Sequence, residues 1–325
     1  MDLQSKIFSI KTDEEFQNCA IETFRKQHKN VKVYAKYVSL LGMSPESVDS
    51  VEKIPFLPIQ FFKSHNVLGD NQLPEVTFSS SGTTGTETSR HLVSNLSLYK
   101  ESFTRSFKLF YGNPEDYCIL ALLPSYMERE GSSLIYMVEE LVQQSNNPNS
   151  GFFLNQLADL ARLLEKLDSS GQKVILIGVS FALLDLAEKF SFQLKNTIVM
   201  ETGGMKGRRK EMVREELHGI LCKSFGVSSI HSEYGMTELL SQAYSSGKGT
   251  FRCPPWMQIR IRDPYDPFSC LADCKSGAIN VIDLANQNSC SFIQTDDLGR
   301  LNTDGSFEVL GRMDNAQIRG CNLLV

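Results

Sequence analysis

Short apolar runs that alternate with amphipathic helical patterns are the feature that most constrains how this chain can fold. Residues 119–123, 173–178 and 197–200 have the length and composition of buried strands. Apolar residues at helical spacing predict helices over residues 96–110 and 154–167. Residues 228–231 are a further strand candidate. Such alternation predicts an α/β fold in which helices flank layered, mostly parallel sheets.

The two ends of the chain depart from this alternation. Apolar residues recur at helical spacing within residues 1–50, which predicts a helical lead-in. Pro, Gly and Asp become frequent within residues 250–325, where we expect a β-rich subdomain and a short C-terminal tail. No repeat or long linker divides the sequence, so we expect a single domain over residues 1–325.

Composition excludes several classes of protein. Lys and Arg number 33 and Asp and Glu number 38, for a net charge of −5. This balance does not supply the basic field that nucleic acids require, so we expect no nucleic-acid partner. Hydrophobic residues at 41% and charged residues at 22% are those of an ordinary globular protein.

Cellular location follows from what the sequence lacks. The first residues contain no apolar signal-peptide core, and the most apolar stretch, residues 174–187, is too short for a membrane span. The eight cysteines occur without a secretion signal, which favours reduced thiols over disulfides. We therefore expect a cytoplasmic protein with no membrane span.

The clearest chemical signal is the segment SSSGTTGT at residues 79–86. Backbone N–H groups beside glycines, together with hydroxyl side chains, can surround a polyphosphate. The segment lacks the Gly-Lys-Ser/Thr of a Walker loop, and an ordinary surface loop is the alternative. The candidate phosphate-binding residues are Ser80, Ser81, Gly82, Thr83, Thr84 and Gly85.

Three further motifs follow in order: YGMTE at 234–238, TDDLGR at 295–300 and GRMD at 311–314. With SSSGTTG, this order resembles the adenylate-forming superfamily of acyl-CoA synthetases, luciferases and peptide-synthetase adenylation domains. The segments FLPIQFFKSH, ETGGMKG and RGCNL are most similar to the acyl-protein synthetase (LuxE) family of bacterial bioluminescence. The resemblance extends from residue 50 to the C-terminus and implies the large domain of an adenylate-forming enzyme.

The resemblance implies an ATP-dependent, AMP-forming acid–thiol ligase that uses Mg²⁺. It assigns Glu238 as the magnesium ligand, Thr237 to the α-phosphate region, and Tyr234 with Gly235 to the adenine. A carboxylate is the hard oxygen ligand that Mg²⁺ prefers. The alternative is a helix that begins here, with Glu238 merely complementing the helix dipole.

Other nucleotide-binding residues are implied by the same resemblance. They are Gly203, Gly204, Lys206, Asp297 and Arg312. Asp297 matches the acid that accepts hydrogen bonds from both ribose hydroxyls, as a carboxylate can. Asp296 stands where the family usually has glycine, so either acid of the pair could fill that role.

Larger members of the superfamily continue past a hinge residue, which Asp314 resembles, into a small domain with a catalytic lysine. This sequence ends soon after Asp314, so we expect that lysine to be absent and its charge to come from Lys63 or Lys206. Cys321 follows the hinge position, and the resemblance implies that it accepts the acyl group as a thioester. A small packing residue is the alternative for Cys321.

The expected function is therefore activation of a carboxylic acid and transfer of the acyl group to Cys321. A fatty acid is favoured as substrate over aromatic and sugar-linked acids, and an acyl-CoA reductase-like protein is the implied partner. The alternatives are an acyl- or aryl-CoA ligase, which would not need Cys321, and a silent nucleotide-binding or partner-binding module, which would not need Glu238.

Two other chemistries have weaker support. Cys253, Cys270 and Cys274 with His231 could bind zinc, but their loose spacing favours isolated reduced cysteines. No Gly-x-Ser-x-Gly elbow is present, so nothing supports a hydrolase.

Overall fold

The computed structural model of the chain describes residues 2–80, 88–124, 131–203, 212–272 and 274–313. Its α-helices are α1 Leu3–Ile7, α2 Asp13–Asn30, α3 Lys32–Leu40, α4 Phe61–Ser64, α5 Leu96–Tyr111, α6 Ser133–Ser145, α7 Leu157–Ser169, α8 Ser180–Lys189 and α9 Arg214–Phe225. Its strands are β1 Leu57–Pro58, β2 Val76–Ser79, β3 Arg90–Val93, β4 Cys118–Leu122, β5 Gly151–Phe152, β6 Val174–Val179, β7 Thr197–Thr202, β8 His231–Tyr234, β9 Ala243–Ser245, β10 Thr250–Phe251, β11 Met257–Arg262, β12 Ser276–Asp283, β13 Phe292–Leu301 and β14 Phe307–Arg312.

The chain divides into two compact units. The central unit comprises Val76–Thr88 and Asn95–Pro254. The terminal unit comprises Met1–Glu75, Ser89–Ser94 and Pro255–Val325. A compact unit is not by itself an independently folding domain, so the single domain expected over residues 1–325 stays a prediction.

The central unit is built on a sheet with the strand order β5-β4-β6-β7-β8-β9. All of these strands are parallel except β9, which pairs with β8 in the antiparallel sense. Strands β4 and β6 are buried along their whole length, as expected for parallel strands covered on both faces. The mostly parallel sheet predicted from the alternating pattern is confirmed.

Helix α5 shows how local sequence determines an element of this unit. It begins where the Asn95 side chain accepts a hydrogen bond from the Leu98 N–H, and it ends at Gly112, which has a positive φ of 86°. Phe103 and Phe107 are buried on one face of the helix. The helix predicted over residues 96–110 is confirmed.

The strand expected over residues 228–231 is displaced in the structure, where β8 begins at His231. Helix α9 ends at Gly226 in the left-handed conformation, and the Val227 N–H bonds back to the Cys222 carbonyl. This turn uses the next residues to redirect the chain, so the ladder with β7 starts only at His231. The earlier start was therefore wrong.

The terminal unit is β-rich in its C-terminal part, as predicted. Strands β11, β12, β13 and β14 form an antiparallel series, and β1 pairs with β13 in the parallel sense. The predicted helical lead-in is confirmed by α2 and α3. Helix α2 starts at a capping box in which Thr12 and Glu15 bond to each other's backbone N–H groups.

Aromatic side chains fill the core between these elements of the terminal unit. Phe292 at the start of β13 stacks on Tyr34 of α3 and meets Phe24 of α2 edge-on. The Tyr34 hydroxyl donates to the Pro55 carbonyl at 2.6 Å, so the buried ring has its polar group satisfied. No helix among the described residues is long and apolar enough to cross a membrane.

Asp168 anchors the end of α7 to the start of β7. Its buried carboxylate accepts hydrogen bonds from the Lys195 and Asn196 N–H groups and from the Thr197 hydroxyl. We predict that Asp168→Ala lowers the free energy of unfolding by roughly 2–3 kcal/mol, because these donors lose a charged acceptor. The matched control is Asp159→Ala, on the exposed face of the same helix, which should cost less than about 0.5 kcal/mol. Urea unfolding measures both, and equal losses would contradict the anchoring role.

Candidate active site

The first part of the candidate site in the central unit lies at the carboxyl end of β7. The strand runs to Thr202, and Gly203 follows with a φ of 67°. This left-handed backbone conformation favours glycine over residues with a side chain. The predicted glycine segment therefore begins as a turn off the end of a buried strand.

Ser180 holds this turn in position, and Glu201 lies beside it. The Ser180 hydroxyl lies 2.6 Å from the Gly203 carbonyl and 3.3 Å from Glu201 Oε2. Arg214 Nε and His218 Nε2, both on α9, lie 3.4 Å and 3.6 Å from Glu201 Oε1. The carboxylate, only 5% exposed, thus has basic neighbours that compensate its burial. Sequence analysis did not single out Glu201, although its position directly before the Thr-Gly-Gly segment was a usable signal.

The second part of this site follows β8, the neighbouring strand. Thr202 and Glu233 are register partners, and the Thr202 hydroxyl donates to Glu233 Oε2 at 2.5 Å. Carboxyl ends of parallel strands meet at one edge of a sheet, which is the usual location of ligand sites in α/β folds. The structure therefore places Thr202, which leads into the glycine segment, beside Glu233, which leads into the YGMTE segment. Glu233 is a second buried acid that sequence analysis passed over.

The YGMTE segment leaves the sheet as a turn. Tyr234 is buried, and its ring lies 6.0 Å from that of Phe251 in an edge-to-face contact. The Arg214 guanidinium lies over the other ring of this pair, 5.1 Å from the Phe251 centroid. Residues 235–242 contain no helix, so the alternative in which Glu238 complements a helix dipole is wrong.

Glu238 has the chemistry expected of a magnesium ligand. Its side chain is buried, with 5% of the residue exposed, and Thr237 beside it is half-buried. Mg²⁺ in nucleotide sites uses one or two protein carboxylates and takes its other ligands from phosphates and water. The Glu238 carboxylate, in the turn after β8, fits that donor set. Among the described residues, no group of three or more His, Cys, Asp or Glu side chains could hold a metal ion.

The predicted phosphate loop is described only at its beginning. Ser80 is half-buried, and the Ser79 N–H beside it donates to the Gly131 carbonyl at 2.7 Å. The other predicted residues of this loop, of the glycine segment and of the tail lie outside the described residues: Ser81, Gly82, Thr83, Thr84, Gly85, Gly204, Lys206 and Cys321.

The two acids of the TDDLGR motif have different environments in the terminal unit. Asp297 is buried, and its Oδ1 accepts a hydrogen bond from Arg312 Nε at 3.0 Å. Asp296 is half-buried, and the Gln60 amide donates to both of its carboxylate oxygens at 2.8 Å and 2.9 Å. The structure thus brings together Asp297 and Arg312, two of the residues that sequence analysis assigned to the nucleotide.

The remaining candidates are spread over other parts of the chain. Lys63 is exposed on α4. His231 lies 3.2 Å from the Tyr111 hydroxyl, and burial lowers the pKa of its imidazole. Cys270 and Cys274 are exposed, whereas Cys253 is half-buried. The zinc hypothesis gains no geometric support from these positions.

Comparison with known families decides which family this chain belongs to. The sequence profile described as "Acyl-protein synthetase, LuxE" matches residues 3–325. The chain belongs to this family. A search of curated proteins finds no significant match.

Solved structures that share this fold at low sequence identity include MatB and 2-hydroxyisobutyryl-CoA ligase. ATP-bound MatB from Rhodopseudomonas palustris has a TM-score of 0.55 and 17% identity, over 73% of this chain and 47% of that chain. An open conformation of 2-hydroxyisobutyryl-CoA ligase in complex with 2-HIB-AMP and CoA has a TM-score of 0.68 and 13% identity, over 93% of this chain and 76% of that one. The same ligase in the postadenylation state has a TM-score of 0.69 and 14% identity, over 94% and 70%.

These likenesses confirm the predicted α/β large-domain fold of adenylate-forming enzymes. The aligned part of the chain spans about half the length of MatB, at 47% of that chain. Identities of 13–17% support the shared fold and nothing finer.

Gly235 allows the YGMTE turn to lie against Glu233. A Cβ added at this glycine would lie 2.5 Å from Glu233 Oε1. We predict that Gly235→Ala lowers the free energy of unfolding by roughly 1–3 kcal/mol, because it displaces a buried carboxylate from its hydrogen bond with Thr202. Gly219→Ala, in the exposed part of α9 with no atom within 4 Å, should instead stabilise by about 0.5–1 kcal/mol.

Urea unfolding of the two alanine variants provides the measurement. Wild-type stability of Gly235→Ala would show that Glu233 is not held against this turn.

Proposed function

We propose that this protein uses ATP to convert a carboxylic acid into an acyl-adenylate and then transfers the acyl group to a thiol. The observation that carries the proposal is the pairing of Thr202 with Glu233 in a chain of the acyl-protein synthetase family. This register places the strand end that leads into the glycine segment beside the strand end that leads into the YGMTE segment. A nucleotide bound at that edge would meet backbone N–H groups, an aromatic ring and a buried carboxylate.

In the proposed first step, a carboxylate oxygen of the substrate attacks the α-phosphorus of ATP. A bond forms between that oxygen and the α-phosphorus, and the bond from the α-phosphorus to the oxygen that bridges to the β-phosphate breaks. Pyrophosphate leaves with that oxygen and the electron pair. The hydroxyl residues of segment 79–86 are proposed to hold the leaving phosphates. Thr237 is proposed to orient the α-phosphate, and Tyr234 to lie against the adenine.

Glu238 is proposed to hold the Mg²⁺ ion, whose chemistry is to offset the negative charge on the phosphates. Its burial keeps the carboxylate out of bulk water and so strengthens its attraction for a cation. Asp297, oriented by Arg312, is proposed to accept hydrogen bonds from the ribose hydroxyls. Lys63 and Lys206 are the proposed sources of positive charge near the reacting carboxylate.

In the proposed second step, the Cys321 thiolate attacks the acyl carbon. A carbon–sulfur bond forms, the bond to the adenylate oxygen breaks, and AMP leaves. The product is a thioester that keeps the acyl group activated for transfer. Coenzyme A is the second candidate acceptor, and what favours it is the fold shared with a ligase solved in complex with 2-HIB-AMP and CoA.

We propose a fatty acid as the substrate, with aromatic and sugar-linked acids as alternatives. An acyl-CoA reductase-like protein is the proposed recipient of the acyl group. The cytoplasm is the proposed location, because a thiol acceptor has to stay reduced.

The test of adenylation is carboxylate-dependent exchange of pyrophosphate into ATP across a panel of fatty, aromatic and sugar-linked acids. We predict that Glu238→Gln lowers the Mg²⁺-dependent exchange rate by at least about tenfold, because an amide is a poor ligand for this ion. The matched control is Glu216→Gln on the exposed face of α9, which should keep the wild-type rate.

Exchange with none of the acids would favour a silent binding module over an enzyme. Wild-type exchange by Glu238→Gln would remove this residue from the proposed metal site.

The test of the acceptor is labelling with radioactive acid and ATP. We predict that Cys321→Ser keeps the pyrophosphate exchange rate and loses the hydroxylamine-sensitive label, because adenylation precedes transfer and a serine is a poorer acceptor. Cys270→Ser, which removes an exposed thiol of the terminal unit, should keep the label. Intact-mass analysis should show one acyl adduct, on the C-terminal peptide of the wild type. Label that forms only on added coenzyme A would establish the CoA ligase instead.

A further inference from the structure

The TDDLGR motif lies at a bulge in β13 of the terminal unit. Strand β12 pairs Ala278 with Leu298 and Asn280 with Gln294, so residues 295–297 of β13 face only Ile279. Bulges of this kind interrupt the ladder and redirect side chains, often beside a binding site. The backbone groups of the bulge must therefore find partners outside the β12–β13 ladder.

The other edge of β13 changes its neighbour at the same place. Up to Gln294 the strand is bonded to β1, whose continuation donates the Ile59 N–H to the Gln294 carbonyl at 2.9 Å. From Asp297 onward it pairs with β14, with Arg312 as the register partner of Asp297. The bulge is thus a junction at which β13 leaves one partner strand and joins another.

Arg262, the last residue of β11, bonds to a backbone group of the bulge that the ladder leaves without a strand partner. Its Nη2 donates to the Thr295 carbonyl at 2.8 Å, and its Nε donates to Asn280 Oδ1 at 3.0 Å. The Thr295 hydroxyl completes the arrangement by donating to the Ile279 carbonyl and accepting from the Asp297 N–H. One guanidinium therefore links β11, β12 and the bulge of β13.

This role explains why Arg262 is buried, although burying a charged side chain costs free energy. The residue is 1% exposed, and the acceptors at Asn280 and Thr295 are neutral oxygens. Burial lowers the pKa of its guanidinium, and the charge of Asp296 partly opposes that shift. A buried charge held by neutral acceptors costs more than an apolar side chain of the same size. Apolar packing alone would not call for an arginine here.

We propose that Arg262 is a positioning residue that fixes the Thr295–Asp297 bulge so that the Asp297 carboxylate can receive the ribose of the nucleotide. The inference rests on the proposed function, because it takes Asp297 as the ribose ligand. Arg262 acts through two steps, from its guanidinium to Thr295 and from the Thr295 hydroxyl to the Asp297 N–H. In this proposal Arg262 determines how well the ribose hydroxyls are recognised.

The test compares the dissociation constants of Mg²⁺-ATP and Mg²⁺-2′,3′-dideoxy-ATP, measured by calorimetry on the full chain. Wild type should prefer ATP by roughly 10- to 100-fold, the value of hydrogen bonds to a charged acceptor. Asp297→Ala should reduce this preference to near unity. Arg262→Met should also reduce it to within about threefold of unity while keeping the dideoxy-ATP affinity within about threefold of wild type.

The control variant is Arg260→Met, on the same strand, where the arginine pairs with Glu52 instead of the bulge. It should keep the wild-type preference for ATP. Arg262→Lys retains the charge with a single donor group and should restore part of the preference. Asn280→Ala removes one acceptor of the guanidinium and provides a milder perturbation if Arg262→Met does not fold.

The outcomes separate the two hypotheses. A wild type without preference for ATP, or an Asp297→Ala variant that retains it, would overturn the proposed ribose contact and the inference with it. A folded Arg262→Met variant that keeps the wild-type preference would overturn the inference alone, as would an Asn280→Ala variant that keeps it where Arg262→Met is unfolded. Equal loss of affinity for both nucleotides would show that Arg262 is merely structural.

Discussion

The register between β7 and β8 is the constraint on which the candidate site of the central unit depends. Because Thr202 pairs with Glu233, the carboxyl ends of β7 and β8 lie side by side. A slip of one residue would send each side chain to the opposite face of the sheet. Glu233 would then lose the Thr202 hydroxyl, and the turn at Gly235 would lose the space it uses beside the carboxylate.

The terminal unit positions its acids by the opposite means, an interruption of a ladder. Strand β12 places only Ile279 opposite residues 295–297, so these residues bond to other parts of the unit. Asp296 accepts a hydrogen bond from the Gln60 amide, and Asp297 accepts one from Arg312. The two adjacent acids therefore have different environments.

Hydrophobic periodicity predicted the helices and strands that are specified by their own apolar residues. The helix over residues 96–110 and the strand within 173–178 were confirmed, because one apolar face or one buried run suffices to specify each. The start of β8 was misplaced because Gly226 ends α9 in a left-handed turn whose length the pattern does not encode. Strand β13 was not predicted, because its polar TDD segment interrupts the alternation of a strand.

The residues that sequence analysis missed share one property, which is charge within a buried strand. Glu201 and Glu233 stand at or near the ends of β7 and β8, and Arg262 ends β11. Glu201 interrupts the apolar run of β7, and Arg262 is buried at a position that the alternation of β11 would leave part-exposed. Each of the three charges is costly to bury unless it makes specific bonds. Such violations are expected where function overrides local preference. A charged residue at the end of an apolar run and directly before a glycine segment, as Glu201 is, is therefore a signal readable in the sequence.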